Sequence, residues 1–378
     1  MRIVFISSMS GASWGGSEEL WSQAALRLHE QGHQIAASVV WWPLVPSKVA
    51  LLNARGVDVV RQTPTQAKLY VRLWRKIMRN SGFEHPDFAW LKQQRADLVL
   101  ISQGGNVDGL AWMHFCAKER LPFATLVQCN HEGWWPSDEL GDEMAIAYSA
   151  AHKVFFVSRH NQEVLERHIG KALSNGSVVW NPYNVASTGP PAWPTPNATM
   201  TLACVARLEP KAKGQDILLE VMAGAKWRDR PVQINFYGNG PGTNKLLKLA
   251  ENLGLKNVHF RGHVHNVWAI WEESHLLILP SRYEGLPLAL VEAMWCARPA
   301  VVTNVGGNVE VCVDGETGFV AAAPTVELFD AALERAWSQR EQWQLMGQAA
   351  HRRAQQLIPS DPVGSFCQAL VALAEKKQ

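Results

Sequence analysis

Short apolar segments of strand length alternate with amphipathic helical segments along almost the whole chain. In the first half the pattern predicts strands at residues 2–7, 34–40, 98–102, 123–128, 154–158 and 178–180. It then begins again, with strands at residues 201–206, 232–237, 258–261, 276–280 and 300–303. Strands separated by helices pair in parallel through right-handed crossovers. The sequence therefore predicts an α/β fold with two doubly wound, Rossmann-like domains.

A proline-rich stretch separates the two halves. Residues 187–197 contain four prolines in eleven positions, which neither a helix interior nor a central strand tolerates. We expect a first domain at 1–186, a linker at 187–197, a second domain at 198–359 and a last helix at 360–378 that packs back toward the first domain. Ligands of such folds bind beyond the carboxyl ends of the strands, so we expect the two domains to face each other across a cleft.

Composition excludes several classes of protein. Of the 378 residues, 47% are hydrophobic and 19% are charged, which is globular composition. The 36 basic and 34 acidic side chains give a net charge of +2, which is too small to predict nucleic-acid binding. The six cysteines are scattered without metal-ligand spacing, as expected of a cytoplasmic protein with reduced thiols and no required metal.

Two glutamates flank a predicted helix start after the strand at 276–280. Glu284 lies just before this start, near Gly285 to Pro287, and Glu292 lies about two turns into the helix. Free amides at a helix start bind phosphate. The two carboxylates could then hold hydroxyl groups on either side of it, as a nucleotide sugar requires. The alternative is an ordinary amphipathic helix with one surface and one buried glutamate.

Loops after other strands add cations and glycines. Arg207, Lys211 and Lys213 follow the strand at 201–206, where they would neutralise a diphosphate; the alternative is a solvated basic loop. Gly15 and Gly16 precede the first helix and Gly238 leaves another strand, which allows close backbone approach to a ligand; the alternative is a plain tight turn. Ser17 is predicted to cap the first helix.

Together these segments resemble the family-four retaining glycosyltransferases of GT-B fold. The matching segments span most of the chain and are densest from 200 to 320. They lie at residues 15–18, 207–214, 236–241, 258–264, 284–292, 299–310 and 314–319.

The resemblance implies a role for individual residues of the second half. Arg207 and Lys213 would bind the donor diphosphate, Glu284 the donor sugar and Glu292 the ribose. Gly262 and His263 would lie beside the base, and the distal phosphate would meet the backbone of Gly285, Leu286, Pro287 and Leu288. The basic loop is one residue longer than the common pattern, which leaves Lys211 as a competing phosphate ligand. Trp295 and Cys296 replace small residues, which suggests tighter helix packing.

In the first half, the resemblance directs attention to the loop after residues 123–128. His131 would approach the donor sugar or the acceptor hydroxyl, unless it is a loop histidine without chemical duty. Trp134 and Trp135 could form an aromatic platform for an acceptor sugar, although scaffold packing is the competing interpretation.

Residues 68–79 are basic and amphipathic. Apolar side chains repeat there at i, i+4 and are edged by lysines and arginines. Such a helix suits peripheral contact with an anionic membrane, near a lipid-linked acceptor. The alternative is a surface helix that covers the first sheet.

These observations predict a retaining glycosyltransferase. It would move a hexosyl-type unit from a UDP-, GDP- or other nucleoside diphosphate sugar to a glycan or lipid-linked acceptor, in the biosynthesis of cell-surface polysaccharide or glycolipid. No cofactor is expected. Two alternatives remain open: a nucleotide-sugar epimerase of the same fold and a catalytically inactive nucleotide-sugar-binding protein.

Overall fold

The computed structural model describes residues 1–63, 85–185, 189–195 and 199–375. The chain divides into two compact units, Met1–Pro182 with Asp361–Gln378 and Tyr183–Ser360. The predicted membrane-contacting helix at 68–79 lies outside the described residues, so that interpretation stays a prediction.

The first unit contains a parallel sheet. Its strands, within the described residues, are β1 (Arg2–Ser7), β2 (Gln34–Val39), β3 (Asp58–Arg61), β4 (Leu98–Gln103), β5 (Phe123–Val127), β6 (Lys153–Phe156) and β7 (Gly176–Val178). Their order is β3-β2-β1-β4-β5-β6-β7. The neighbours are all paired in parallel.

Helices cover both faces of this sheet. They are α1 (Glu19–Glu30), α2 (Ser47–Ala54), α3 (Pro86–Gln94), α4 (Leu110–Lys118), α5 (Asp138–Ala150), α6 (Arg159–His168) and, from the chain's end, α16 (Pro362–Glu375). Phe5 of β1 lies in one core with Trp21 and with Phe366 of α16, whereas Val4 lies in the other core. Alternate residues of a strand point to opposite faces, so a strand buried on both sides is apolar throughout.

The second unit repeats this arrangement. Its strands are β8 (Met200–Val205), β9 (Val232–Tyr237), β10 (Val258–Gly262), β11 (Leu276–Leu279), β12 (Ala300–Thr303) and β13 (Gly318–Ala321). Their order is β10-β9-β8-β11-β12-β13, again with parallel neighbours. The predicted α/β class with two doubly wound parallel sheets is confirmed.

The second unit contains short and long helices. They are α7 (Pro210–Lys213), α8 (Gln215–Met222), α9 (Ala225–Asp229), α10 (Thr243–Asn252), α11 (Val267–Glu273), α12 (Leu288–Trp295), α13 (Asn308–Val311), α14 (Val326–Ser338) and α15 (Trp343–Leu357). The core contains Phe236, Trp227 and Trp343.

Each sheet has a point where the strand order reverses. In the second unit, β9 and β10 extend to one side of β8, and β11, β12 and β13 extend to the other. Loops leave the carboxyl ends of β8 and β11 in opposite directions at such a point and open a crevice, which is where ligands of doubly wound sheets bind.

The described part of the predicted linker lies on the second unit. The guanidinium of Arg298 is 5.1 Å from the centroid of the Trp193 ring. A guanidinium nitrogen of Arg298 donates to the carbonyl of Ala192 at 2.7 Å. Burial lowers the pKa of Arg298 to about 10. The chain enters this unit at Tyr183, ahead of the predicted linker.

Arg340–Glu375 is the one stretch of the described residues that is long and apolar enough to cross a membrane. It consists of two helices, α15 and α16, and each packs into the core of a different unit. Neither helix alone reaches the roughly 20 residues that a span needs.

Candidate active site

The loops after β8 and β11 meet because these strands are neighbours in the second sheet. Gly214 ends α7 with φ +63°, a left-handed conformation that favours glycine. A Cβ atom there would lie 2.0 Å from the carbonyl oxygen of Pro280. This glycine therefore lets the basic loop touch the loop that carries Glu284.

Lys213 and Glu284 form an ion pair at this contact. The Lys213 Nζ is 2.6 Å and 2.7 Å from the two carboxylate oxygens of Glu284. Glu284 is only 5% exposed, and the Ser281 hydroxyl donates a further hydrogen bond to it at 2.8 Å. Lys211, the competing phosphate ligand, is exposed. The local geometry thus distinguishes the two lysines and turns Lys213 toward the carboxylate.

A second ion pair joins the same two loops. Arg282 donates to both carboxylate oxygens of Asp216 at 2.7 and 2.8 Å, and to the carbonyl of Pro210 at 2.7 Å. The hydrogen bonds that Arg282 donates to Asp216 raise the pKa of Arg282. Bidentate pairs of this kind fix geometry as well as charge, so the Lys213 loop is held in place by its neighbour.

Two glycines after β12 hold the Glu284 loop from its other side. A Cβ atom on Gly306 would lie 2.3 Å from the carbonyl oxygen of Glu284. The amide of Gly307 donates to the carbonyl of Gly285 at 2.6 Å. The first contact explains why a glycine stands at 306, and both contacts hold the backbone around Glu284.

The helix α12 begins directly beyond this loop. Pro287 was predicted in the first turn, but it is the N-cap, one position before the helix begins at Leu288. Its carbonyl accepts from the amide of Leu290 at 3.1 Å. Gly285 and Leu286 are buried, and Leu288 is half-buried. The first amides of a helix have no partner within it, which leaves the start of α12 suited to an anion.

Glu292 lies in the second turn of α12 and is 3% exposed. Its Oε1 accepts two hydrogen bonds, from the backbone amide and from the side-chain amide of Asn184, each at 3.1 Å. Among the described residues, Asn184 therefore orients Oε1 of this buried carboxylate, and Lys213 contacts both oxygens of Glu284.

Arg207 lies at the outer edge of the basic loop. Its side chain is 38% exposed and pairs with Glu209. Gln215 donates to the Arg207 carbonyl at 2.8 Å, which fixes the backbone and leaves the side chain on the surface.

The Gly238 loop supports the basic loop through its backbone. A Cβ atom on Gly238, whose φ is +132°, would lie 2.1 Å from the carbonyl oxygen of Ala206. The Gly238 amide donates to the carbonyl of Gly262 at 2.7 Å, so this amide is engaged within the protein. Gly262 also has a positive φ, and His263 beside it is exposed with its ring edge-on to His265.

The Gly15 and Gly16 loop of the first unit follows β1. A 3-10 turn spans Gly16–Glu18 and runs directly into α1. The predicted helix cap at Ser17 is wrong: neither helix start has a side-chain cap, because Ser17 lies inside the turn. The buried residue of the 3-10 turn is Glu18, for which the sequence analysis predicted no role.

Glu18 accepts on Oε2 from the Ser7 hydroxyl at 2.7 Å and from the Trp21 indole at 3.0 Å. Its Oε1 is buried and has no hydrogen-bond partner among the described residues. Burial raises the pKa of Glu18 to about 7. The residue borders a small pocket that Trp14, Trp42 and Arg61 also line.

His131 lies in the loop between β5 and α5. Its Nδ1 accepts from the amide of Gly133 at 3.0 Å, and its ring is 5.9 Å from that of Trp134. Trp134 is 37% exposed and Trp135 is 67% exposed. Trp135 meets His168 edge-on, so the two indoles rest against different histidines.

The structure joins Lys213 with Glu284 and adds residues that the sequence did not single out. Ser281 and Asn184 orient the two site carboxylates, and Gly306 fixes the Glu284 backbone. Ser281 is adjacent to a predicted strand end and could have been chosen on that ground. Asn184 carries no such signal. Within the described residues, no three His, Cys, Asp or Glu side chains are grouped to hold a metal ion.

Sequence comparison identifies the second unit. Residues 190–353 match the model of the family described as glycosyl transferases group 1. The D-rhamnosyltransferase WbpZ of Pseudomonas aeruginosa is 33% identical over 151 residues, 39% of this chain and 38% of that protein. The Vi polysaccharide biosynthesis protein VipC/TviE of Salmonella typhi is 38% identical over 96 residues, 25% of this chain and 17% of that protein. The alignments thus span less than two-fifths of these relatives' length.

Structural comparison covers the whole chain. The Anabaena protein HepE in complex with UDP has a TM-score of 0.75 at 17% identity, with 100% of both chains covered. Its complex with UDP-glucose has the same TM-score at 16% identity, covering 98% of this chain and 99% of that one. The match to the glycosyl transferases group 1 thus covers residues 190–353, and the chain as a whole has the GT-B fold.

Proposed function

We propose that the protein is a retaining glycosyltransferase that moves a hexosyl-type unit from a nucleoside diphosphate sugar to a glycan or lipid-linked acceptor. The observation that carries the proposal is the pair of Lys213 and Glu284, joined at 2.6 and 2.7 Å beside the start of α12. In this proposal the cation binds the diphosphate and the carboxylate binds sugar hydroxyls. The two groups lie next to each other where the strand order of the second sheet reverses.

Each group has a distinct task in this proposal. Lys213 and Arg207 neutralise the diphosphate, with the backbone from Gly285 to Leu288 receiving its distal phosphate. Glu284 accepts hydrogen bonds from donor sugar hydroxyls. Glu292 accepts them from the ribose, and the backbone at Gly262 and His263 borders the base.

The chemistry is a substitution at the anomeric carbon. The bond from that carbon to the diphosphate oxygen breaks, and a bond to the acceptor oxygen forms on the same face. The acceptor's proton passes to the departing diphosphate. Negative charge grows on the leaving oxygens, so Lys213 and Arg207 act most strongly in the transition state. His131 is proposed to approach the donor sugar or acceptor hydroxyl, and Trp134 and Trp135 to contact the acceptor.

The named relatives support the substrate classes. HepE is recorded with UDP and UDP-glucose, which makes UDP-sugars the first donors to test. WbpZ is a rhamnosyltransferase and VipC/TviE a polysaccharide biosynthesis protein, which supports a role in surface polysaccharide or glycolipid synthesis. A reducing, cytoplasmic compartment is supported by buried thiols such as Cys116 and Cys204, whose pKa burial raises to about 12.

A panel of nucleoside diphosphates and their sugars tests the proposal. A ligand that binds the folded state raises the melting temperature in proportion to its saturation. We expect one base to stand out, and its sugar nucleotides to release nucleoside diphosphate when an acceptor is added. Proton NMR of the product should show the donor's anomeric configuration.

Other results of the same panel would contradict the proposal. An epimerised donor would indicate an epimerase, and binding without turnover would indicate an inactive binding protein. An inverted anomer would exclude the retaining course. If no nucleoside diphosphate raised the melting temperature, the donor site itself would be refuted.

A further inference from the structure

The orientation of Glu292 depends on a residue from the start of the second unit. Two nitrogens of Asn184, the backbone N and the side-chain Nδ2, donate to the same oxygen, Oε1, at 3.1 Å each. Two donors converging on one oxygen fix the position and plane of a carboxylate more firmly than a single bond does. N–H donors also offset part of the cost of burying a carboxylate that is 3% exposed.

Asn184 is itself held against α12. The ring of the preceding Tyr183 stacks on Trp295 at 5.0 Å between centroids and 23° between planes. The Tyr183 hydroxyl donates to the carbonyl of Ser360 at 3.3 Å. Trp295 is three residues beyond Glu292 and therefore on the same face of the helix. Tyr183 and Asn184 together contact one face of α12 at two points, which makes Asn184 a rigid support.

We propose that Asn184 is a positioning residue for the nucleotide ribose. By fixing Oε1 of Glu292, it sets where the rest of the carboxylate lies, and thus how well the carboxylate receives the 2′- and 3′-hydroxyls. The inference rests on the proposed function, in which Glu292 binds the ribose. It assigns Asn184 no contact with the substrate.

The experiment compares UDP with 2′,3′-dideoxy-UDP, which lacks the hydroxyls in question. Calorimetry gives the affinity of both nucleotides for the wild type and for the variants Asn184→Ala and Glu292→Ala. We expect the wild type to prefer UDP and Glu292→Ala to lose that preference. Asn184→Ala should reduce the preference about tenfold, the effect of one well-placed hydrogen bond to a charged group. The affinity for the dideoxy nucleotide should stay unchanged.

A merely structural role would give a different pattern. If Asn184→Ala weakened both nucleotides equally, or left the preference intact while Glu292→Ala abolished it, the inference would be overturned and the ribose role of Glu292 would stand. If Glu292→Ala kept the full preference, the ribose assignment itself would fail.

Asn184→Asp provides a second variant in case the alanine protein folds poorly. It has the same shape and keeps the backbone hydrogen bond, but places a carboxylate against Glu292 in place of an N–H donor. We expect a larger loss of preference for UDP at neutral pH than in Asn184→Ala. An unchanged preference in Asn184→Asp would equally overturn the inference.

Discussion

Glu18 in the first unit and Glu284 in the second are both buried carboxylates in loops that follow a parallel strand. They are 3% and 5% exposed, so burial does not distinguish them. Their partners do. Both oxygens of Glu284 face the Lys213 ammonium. Within the described part of the chain, the donors to Glu18 are neutral, Ser7 and Trp21, and both reach the same oxygen.

The comparison shows how the partner decides what a buried carboxylate can do. Without a countercharge, burial raises the pKa of Glu18 to about 7, so the residue holds a proton near neutrality. Glu284 is paired with a cation, to which the proposed function assigns the diphosphate. The same residue type thus binds a proton in one unit and forms an ion pair in the other.

The largest effect is expected from Lys213→Met, which makes Glu284 resemble Glu18. It leaves a buried carboxylate without its cation, and breaking a buried pair from one side costs about 3–5 kcal/mol of unfolding free energy. Turnover should fall by roughly 10²–10³, the usual loss when one stabilising group is removed from a charged transition state. Urea unfolding and steady-state kinetics measure the two effects.

The double variant Lys213→Met with Glu284→Gln separates stability from chemistry. Removing both charges should recover much of the unfolding free energy, because no uncompensated carboxylate remains. Turnover should stay low. A double variant as unstable as Lys213→Met alone would show that the ion pair is not the source of the loss.

A smaller effect, confined to a pH range, is expected from Glu18→Gln. The folded protein binds the Glu18 proton more tightly than the unfolded chain, whose pKa is 4.5. The stability from this proton is fully present below pH 4.5 and is lost as the pH rises through 7. Wild-type unfolding free energy should fall by about 3 kcal/mol relative to Glu18→Gln across that range. Parallel curves for the two proteins would contradict the raised pKa.

The smallest effect is expected from Lys211→Ala. This lysine lies two residues before Lys213 but is exposed, and exposed substitutions usually change stability by less than about 0.5 kcal/mol. Turnover should stay within about twofold of wild type, since a solvated cation contributes little. A loss as large as that of Lys213→Met would mean that Lys211 binds the diphosphate.

Sequence patterns located central elements better than peripheral ones. The bounds of β1, β9 and β12 agree with the predicted strands. β1 and β12 are apolar runs, and β9 alternates apolar with polar residues, which is the period of a strand. The edge strands β3 and β13 were not predicted. Each has only four residues, and Asp58 and Arg61 at the ends of β3 are exposed, so β3 contains just two apolar residues.

The sequence analysis could select individual site residues, but it could not predict which of them are in contact. Lys213 and Glu284 were both chosen, yet they are 71 positions apart, and only the pairing of β8 with β11 brings them together. The choice between Lys211 and Lys213 depends on how the short helix α7 turns its side chains. Asn184 could not be found at all, because its role follows from packing against α12.

We propose that Lys213, held by Glu284, binds the diphosphate of a nucleotide sugar. Calorimetric affinities for UDP and UMP, measured on the wild type, Lys213→Met and Lys211→Met, test this role, since the two nucleotides differ by one phosphate. The wild type and Lys211→Met should prefer UDP by the same factor, and Lys213→Met should lose most of this preference. An undiminished preference for UDP in Lys213→Met would show that Lys213 does not bind the diphosphate.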